Sequence, residues 1–207
     1  MIGLEPLEPR RLLSGITVMT QNLYLGADLA TVFSAASPDQ VPEKVWQTWL
    51  GVKATNFHER AAAIAREIAR AKPDLMAVQE ASLWRVQSPG DSQSINPRPA
   101  TQTAYDFVYI LRKALRERGL HYRPVVVNRN YDAELPDGHG HDIRLTDRDV
   151  ILAMEGADTA DLRLRYPRTG DYEAHLSLPV GGIGGQTFEA SMGWASVVVK
   201  GRGEKFR

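Results

Sequence analysis

An apolar run that ends on a carboxylate, Leu75-Met76-Ala77-Val78-Gln79-Glu80, sets the frame for the rest of this chain. Leu75 to Val78 has the length and bulk of a buried strand, and Lys72-Pro73-Asp74 ahead of it has the turn chemistry that separates a strand from a helix. Glu80 is then expected where a central strand reaches the rim of its sheet. An unpaired carboxylate is costly to desolvate, so a metal ion, an arginine or a ring of backbone donors has to meet it.

Ahead of this run, Ala61, Ile64, Ala65 and Ile68 share one side of a helical repeat whose charges fall on the other, which predicts a surface helix packed on a sheet. Further upstream, Ile16 to Asn22 reads as a second strand ending in an amide. Two strands thus bring Asn22 and Glu80 to what is expected to be one rim.

Val18-Met19-Thr20-Gln21-Asn22-Leu23-Tyr24-Leu25-Gly26, the Arg60 to Ile68 helix and Pro73-Asp74-Leu75 through Gln79-Glu80 together resemble the opening motifs of the endonuclease/exonuclease/phosphatase superfamily, metal-dependent phosphoesterases related to DNase I. The resemblance implies an α/β fold of the DNase I-like kind, a two-layer β-sandwich flanked by helices, apparently truncated at its C-terminus. It carries two active-site roles onto this chain, a catalytic Asn22 and a metal-holding Glu80. In such relatives a charged entry to a later strand includes an acid that orients a histidine. By that likeness Asp147 is the candidate orienter and Arg148 the candidate phosphate contact, with an Asp-Arg ion pair at a strand mouth as the alternative.

Equal numbers of acidic and basic residues, 25 each, give no general attraction to nucleic acid or anionic lipid, although a local basic patch is invisible in a total. With no cysteine there is neither a disulfide nor a thiolate metal site. No apolar run is long enough to span a bilayer. Residues 1–15 read as a leader, because Leu7-Glu8-Pro9-Arg10-Arg11-Leu12-Leu13 resembles a motif near the start of many large exported bacterial proteins, implying a sorting or envelope role beside the plainer reading of a disordered segment. Residues 16–207 read as the partial phosphoesterase domain.

Within that domain Val41, Val45, Trp49 and Val52 predict a helix after Ser37-Pro38-Asp39, with Trp46 and Trp49 read as packing. Ser88 to Pro99 is a loop, Thr103 to Arg118 a helix ended by Gly119, and Tyr122 to Val127 a strand. Asn128 to Thr146 reads as a long polar loop. Its Asp137-Gly138-His139-Gly140-His141-Asp142 is taken as mobile rather than as a transition-metal site, since the glycines leave no rigid element to hold ligands. Leu145 to Met154 runs into a buried strand, and shorter strands follow near 174–178, 186–190 and 194–200, with Gly181 to Gly185 as a hairpin connection and Glu204 to Arg207 as the start of another strand.

The expected activity is phosphoester hydrolysis with Mg²⁺ or Mn²⁺, the ion held through one or two carboxylates plus substrate phosphate. A nucleic acid, a phosphoinositide and a sphingolipid all fit as the phosphoester. Two features temper this. Met192-Gly193-Trp194 stands where such relatives often have Arg-Gly-Trp, and the superfamily's later histidine and Asp-x-Asn have no counterpart here, so this chain by itself is expected to be inactive. The alternative is a surface binding module that keeps the fold without the chemistry.

Overall fold

The organising element is a long hairpin, β5 (Tyr122–Pro136) and β6 (Asp142–Met154), paired in antiparallel register over nearly its whole length. The computed structural model that shows it describes residues 15–92, 94–156, 162–179 and 187–200. On the free edge of β6 two short strands lie end to end, β2 (Leu75–Gln79) opposite Ala153 to Val150 and β3 (Leu83–Gln87) opposite Thr146 to Asp142. They are one strand path interrupted at residues 80–82. Val78 faces Val150 and Leu83 faces Thr146, so the interrupted path carries one residue more than β6 does, the count of a β-bulge. β1 (Val18–Asn22) pairs parallel to β2 and β4 (Gln102–Asp106) antiparallel to β3, completing six strands.

Helices cover the sheet as the sequence pattern requires. Besides the short α1 (Ala30–Phe33), α2 (Val41–Ala54) buries Val41, Val45, Trp49 and Val52, the predicted stripe. α3 (Phe57–Ala71) buries Phe57, Ala61, Ala65 and Ile68, and α4 (Phe107–Arg116) buries Phe107, Leu111 and Leu115 among others. The Phe57 and Phe107 rings stack 3.6 Å apart at the start of both helices, which ties α3 to α4 beneath the sheet. Each such side chain contributes about 1.5–3 kcal/mol by leaving water. Lys72 ends α3 in the left-handed region (φ +43°), its N–H donating to Ile68 O at 2.7 Å.

The expected α/β class, a sheet with helices packed on it, is therefore present, with a second sheet of two strands, β7 (Arg163–Pro179) and β8 (Thr187–Lys200). Three expectations need correcting. Residues 102–106 are strand, and α4 starts only after Asp106, whose side chain accepts from Val108 and Tyr109 N–H as its N-cap. Residues 128–136 and 142–146 are the two arms of the hairpin, which leaves 137–141 as the only loop of the expected long one. The short strands expected after residue 170 are parts of two long ones. The leader and the expected elements at 181–185 and 204–207 lie outside the described residues.

Candidate active site

Glu80 sits in the interruption between β2 and β3, with its backbone in the left-handed region (φ +51°). There the chain turns on itself, Ser82 N–H donating to Glu80 O at 2.7 Å, while Ala81 N–H keeps the path attached to β6 through Arg148 O at 2.8 Å. A non-glycine residue in that region costs on the order of 1–3 kcal/mol and is held only where its surroundings over-determine it. Here two donors do so: Asn22 Nδ2 reaches Oε1 at 2.7 Å and Leu25 N–H reaches Oε2 at 2.7 Å. Asn22 is fixed in turn, because its Oδ1 accepts from Tyr24 N–H at 2.6 Å. The expected neighbours are thus in direct contact, Asn22 at the end of β1 and Glu80 beside it. Glu80 lies at a bulge along β6 and not at the sheet rim.

Arg60 on α3 anchors the loop that supplies Leu25. Its guanidinium donates to the carbonyls of Leu23, Tyr24 and Thr55 and lies 4.9 Å from the Phe57 ring centre. Burial pulls its pKa down, against the raising influence of Tyr24 and Glu80. Each oxygen of Glu80 receives one of the two donors, which leaves lone pairs on both for a cation.

Opposite the interruption, Asp147 and Asp149 lie two residues apart on β6 and so point to one side. Asn130, the extra residue of a bulge in β5 between Arg129 and Tyr131, donates from Nδ2 to Asp147 Oδ2 at 2.8 Å and to Asp149 Oδ2 at 3.2 Å. Asp147 is 7% exposed, and its Oδ1 is buried with no partner. Burial pushes its carboxyl above the usual range, opposed by the Asn130 hydrogen bond and reinforced by the charges of Asp149 and Glu80. Asp149 is raised by burial and by Glu80. The Tyr131 phenol is raised too, first by burial and then by Asp147 and Glu80. β8 closes over this corner: a Cβ on Gly193 would run into Asn128 Nδ2 and fall 2.5 Å from Asn130 Oδ1, so only glycine permits the approach.

Of the four residues singled out in the sequence, three converge here. The charge of Glu80 acts on Asp147, and Asn22 bonds Glu80. Arg148 does not join them. Strand alternation turns it to the other face, where it donates to Ala81 O at 2.7 Å, to Ser82 O at 3.3 Å and to Asp106 Oδ1 at 2.7 Å. That arrangement ties the interrupted strand to the cap of α4, and the guanidinium is committed to it. Asp149, Asn130 and Tyr131 complete the group without having been singled out. Alternation alone points to Asp149, two residues beyond Asp147.

The sequence Asp137 to Asp142 is an ordered turn and not a mobile loop. Asp137 is fully buried and accepts from His139 N–H at 2.8 Å, from His141 N–H at 3.0 Å and meets His141 Nδ1 at 2.9 Å. Burial pushes its carboxyl up, and these donors more than offset that and hold it below its ordinary value. Asp142 accepts from Asp91 N–H, Ser92 N–H and Ser92 Oγ.

The donor set around Glu80 suits a hard divalent ion, since it offers carboxylate oxygens with spare lone pairs and a buried, donorless Asp147 Oδ1 in a group of mutually repelling acids. Among the described residues no three His, Cys, Asp or Glu side chains converge as a ready-made metal cage. One carboxylate supplemented by water and substrate phosphate is how Mg²⁺ is commonly held.

No family model matches the chain. No curated protein matches it. A solved structure of similar architecture is an endonuclease/exonuclease/phosphatase family protein from Leptotrichia buccalis C-1013-b, 12% identical, with a TM-score of 0.40. The similarity covers 92% of this chain and 50% of that one, so the chain spans half the length of that protein.

Proposed function

We propose that this chain forms the metal-holding part of a divalent-metal-dependent phosphoester hydrolase. The observation that carries the reading is the Glu80 carboxylate, set on a left-handed backbone, gripped by Asn22 and Leu25 N–H, and facing the under-supplied acids Asp147 and Asp149. Mg²⁺ or Mn²⁺ bound there would stabilise negative charge on the phosphoryl oxygens. Glu80 would hold that ion. Asn22 orients Glu80 through Nδ2, and its Oδ1 is tied to Tyr24 N–H, so it keeps the carboxylate in one rotamer. Asp147, its carboxyl pushed above the usual range first by burial and then by the charges of Asp149 and Glu80, would serve as the acid that orients a histidine beside the reacting water.

A second reading, a binding module without chemistry, is favoured by one observation. Among the described residues, the groups that act on Asp147 are Asn130, Asp149, Glu80 and Arg148, with no histidine among them. His139 lies against Trp46 and His141 against Asp137. Mg²⁺- and Mn²⁺-dependent cleavage of plasmid DNA, RNA, bis-p-nitrophenyl phosphate and sphingomyelin, measured for the chain and for any longer product its gene encodes, separates the two readings. Metal-dependent turnover abolished by Glu80→Gln supports the hydrolase. Turnover that survives Glu80→Gln removes Glu80 from the site, and absence of turnover with either metal leaves the binding module.

A further inference from the structure

We propose that α2, β3, β4 and the β5–β6 turn form a stacking subsite for an unpaired nucleobase and its phosphate, which selects single-stranded nucleic acid among the phosphoesters. The inference rests on the phosphoesterase reading above and names its substrate class.

The site is a cavity of about 310 Å³ lined by Trp46, Trp49, Lys53, Val86, Gln102 and His141, with Ala104 at its wall. Its composition is specific. Trp49 is nearly buried and immobilised by Trp84 and Tyr105, each with ring centres 5.9 Å away, whereas Trp46 is only partly buried. The Lys53 ammonium stands 4.7 Å from the Trp46 ring centre and 5.7 Å from that of Trp49. A cation resting on indole faces marks a surface that attracts both π systems and anions. Gln102 and His141 add an amide and an imidazole at the edge, groups suited to the polar rim of a base.

The pocket also lies on the face that carries the acids. Val86 pairs with Ile143 and Trp84 with Leu145, and Ile143, Leu145 and Asp147 alternate along one side of β6. Asp147 lies four residue steps along the strand from Ile143, about 13 Å. The two sites are joined by direct bonds as well: Trp84 Nε1 donates to Leu25 O at 3.0 Å, and Leu25 N–H donates to Glu80 at 2.7 Å. A chain of phosphoesters running along this face places a flanking base in the pocket when its phosphate is at Glu80.

The chemistry discriminates among headgroups. A choline is cationic and meets Lys53 with the wrong sign. An inositol phosphate suits Lys53 but has no π face to lay on Trp46. A nucleobase takes over the Trp46 face, and the displaced Lys53 ammonium, on its exposed stem, pairs with the phosphate the base carries.

Binding of a short fluorescein-labelled oligothymidylate is measured by anisotropy in EDTA, so that no turnover intervenes, for wild type, Trp46→Ala, Trp46→Phe, Lys53→Gln and Glu80→Gln. Trp46→Ala is expected to weaken binding about 10-fold and Trp46→Phe less, in line with base-aromatic stacking. Lys53→Gln is expected to flatten the salt dependence by about one phosphate contact. Glu80→Gln removes a negative charge from the phosphate path and is expected to bind at least as tightly in EDTA, so loss of metal-dependent turnover in Glu80→Gln tests the phosphoesterase reading separately. Thermal melts of each variant report folding, and Trp46→Phe and Lys53→Gln keep the test open if Trp46→Ala fails to fold. Equal affinity of wild type and Trp46→Phe together with an unchanged salt slope in Lys53→Gln, tighter binding of duplex than of single strand, or stronger competition by phosphocholine or inositol phosphate than by thymidine monophosphate would each overturn the proposal.

Discussion

The two ends of the 142–149 stretch of β6 use the same residue type to opposite effect. At the turn, Asp137 and Asp142 each collect three donors and are saturated. Five residues along the strand from Asp142, Asp147 receives an Asn130 hydrogen bond on Oδ2 and keeps Oδ1 buried without a partner, with Asp149 and Glu80 adding like charge. The shifts follow: Asp137 is held below its ordinary value, Asp147 and Asp149 above theirs. A carboxylate that the fold has satisfied is structural. One that the fold leaves short of donors is available to a cation or a proton.

The sharpest way to break this contrast is to remove each acid in turn. Asp137→Ala strands three donors around a buried site and is expected to cost about 3 kcal/mol in a urea melt. Gly193→Ala comes next. Its Cβ has no room beside Asn128 and Asn130, and overpacking of this kind costs about 1–3 kcal/mol, with β8 forced away from the acids. Asp147→Asn is expected to change stability by less than about 1 kcal/mol and in the stabilising direction, because it removes repulsion and lets Oδ keep the Asn130 bond. Equal losses for Asp137→Ala and Asp147→Asn would erase the distinction.

The smallest effect is in the pH profile, and its sign differs between the two ends. The lowered Asp137 contributes stability that is present above its unfolded pKa of about 3.9 and lost as pH falls through the folded value. The raised Asp147 and Asp149 do the reverse: stability declines as pH rises from about 3.9 to their higher folded values, since ionisation is easier in the unfolded chain. Asp147→Asn with Asp149→Asn should remove the decline above pH about 4 and leave the acid limb in place, as read from melting midpoints across pH.

How much of this was legible in the sequence depends on how much each element relies on burial. β2, α3 and the stripe of α2 are buried against a core, so their apolar period is written in the residues; Glu80 follows from the end of β2, and Asn22 from the end of β1, which alternates exposed and half-buried positions. The arms of the β5–β6 hairpin are not so written. Asn128 to Pro136 is largely half-buried and carries Asn128, Arg129, Asn130, Asp132 and Glu134, and the polarity reads as loop. Asn130 and Tyr131 were hidden inside that reading. Thr103 to Asp106 reads as the start of the helix because Ala104 fits the period of Phe107, Val108 and Leu111, although Asp106 ahead of Phe107 is the N-cap signal that fixes the boundary. Arg148 reads as a phosphate contact by likeness to such relatives, with an Asp-Arg ion pair as the alternative. Its partners Ala81, Ser82 and Asp106 come from elsewhere in the chain, and only the pairing of β6 with the interrupted strand brings them together.

The central claim, that Glu80 beside the acids Asp147 and Asp149 forms the metal end of a phosphoesterase site, is tested most directly by titrating Mn²⁺ into nitrogen-15-labelled protein and following side-chain amide resonances. Paramagnetic broadening should appear first at the Asn22 and Asn130 amides, which contact Glu80, Asp147 and Asp149, and should vanish in Glu80→Gln. Broadening centred on the backbone amides of His139 and His141, unchanged in Glu80→Gln, would place the ion at the saturated turn and contradict the account.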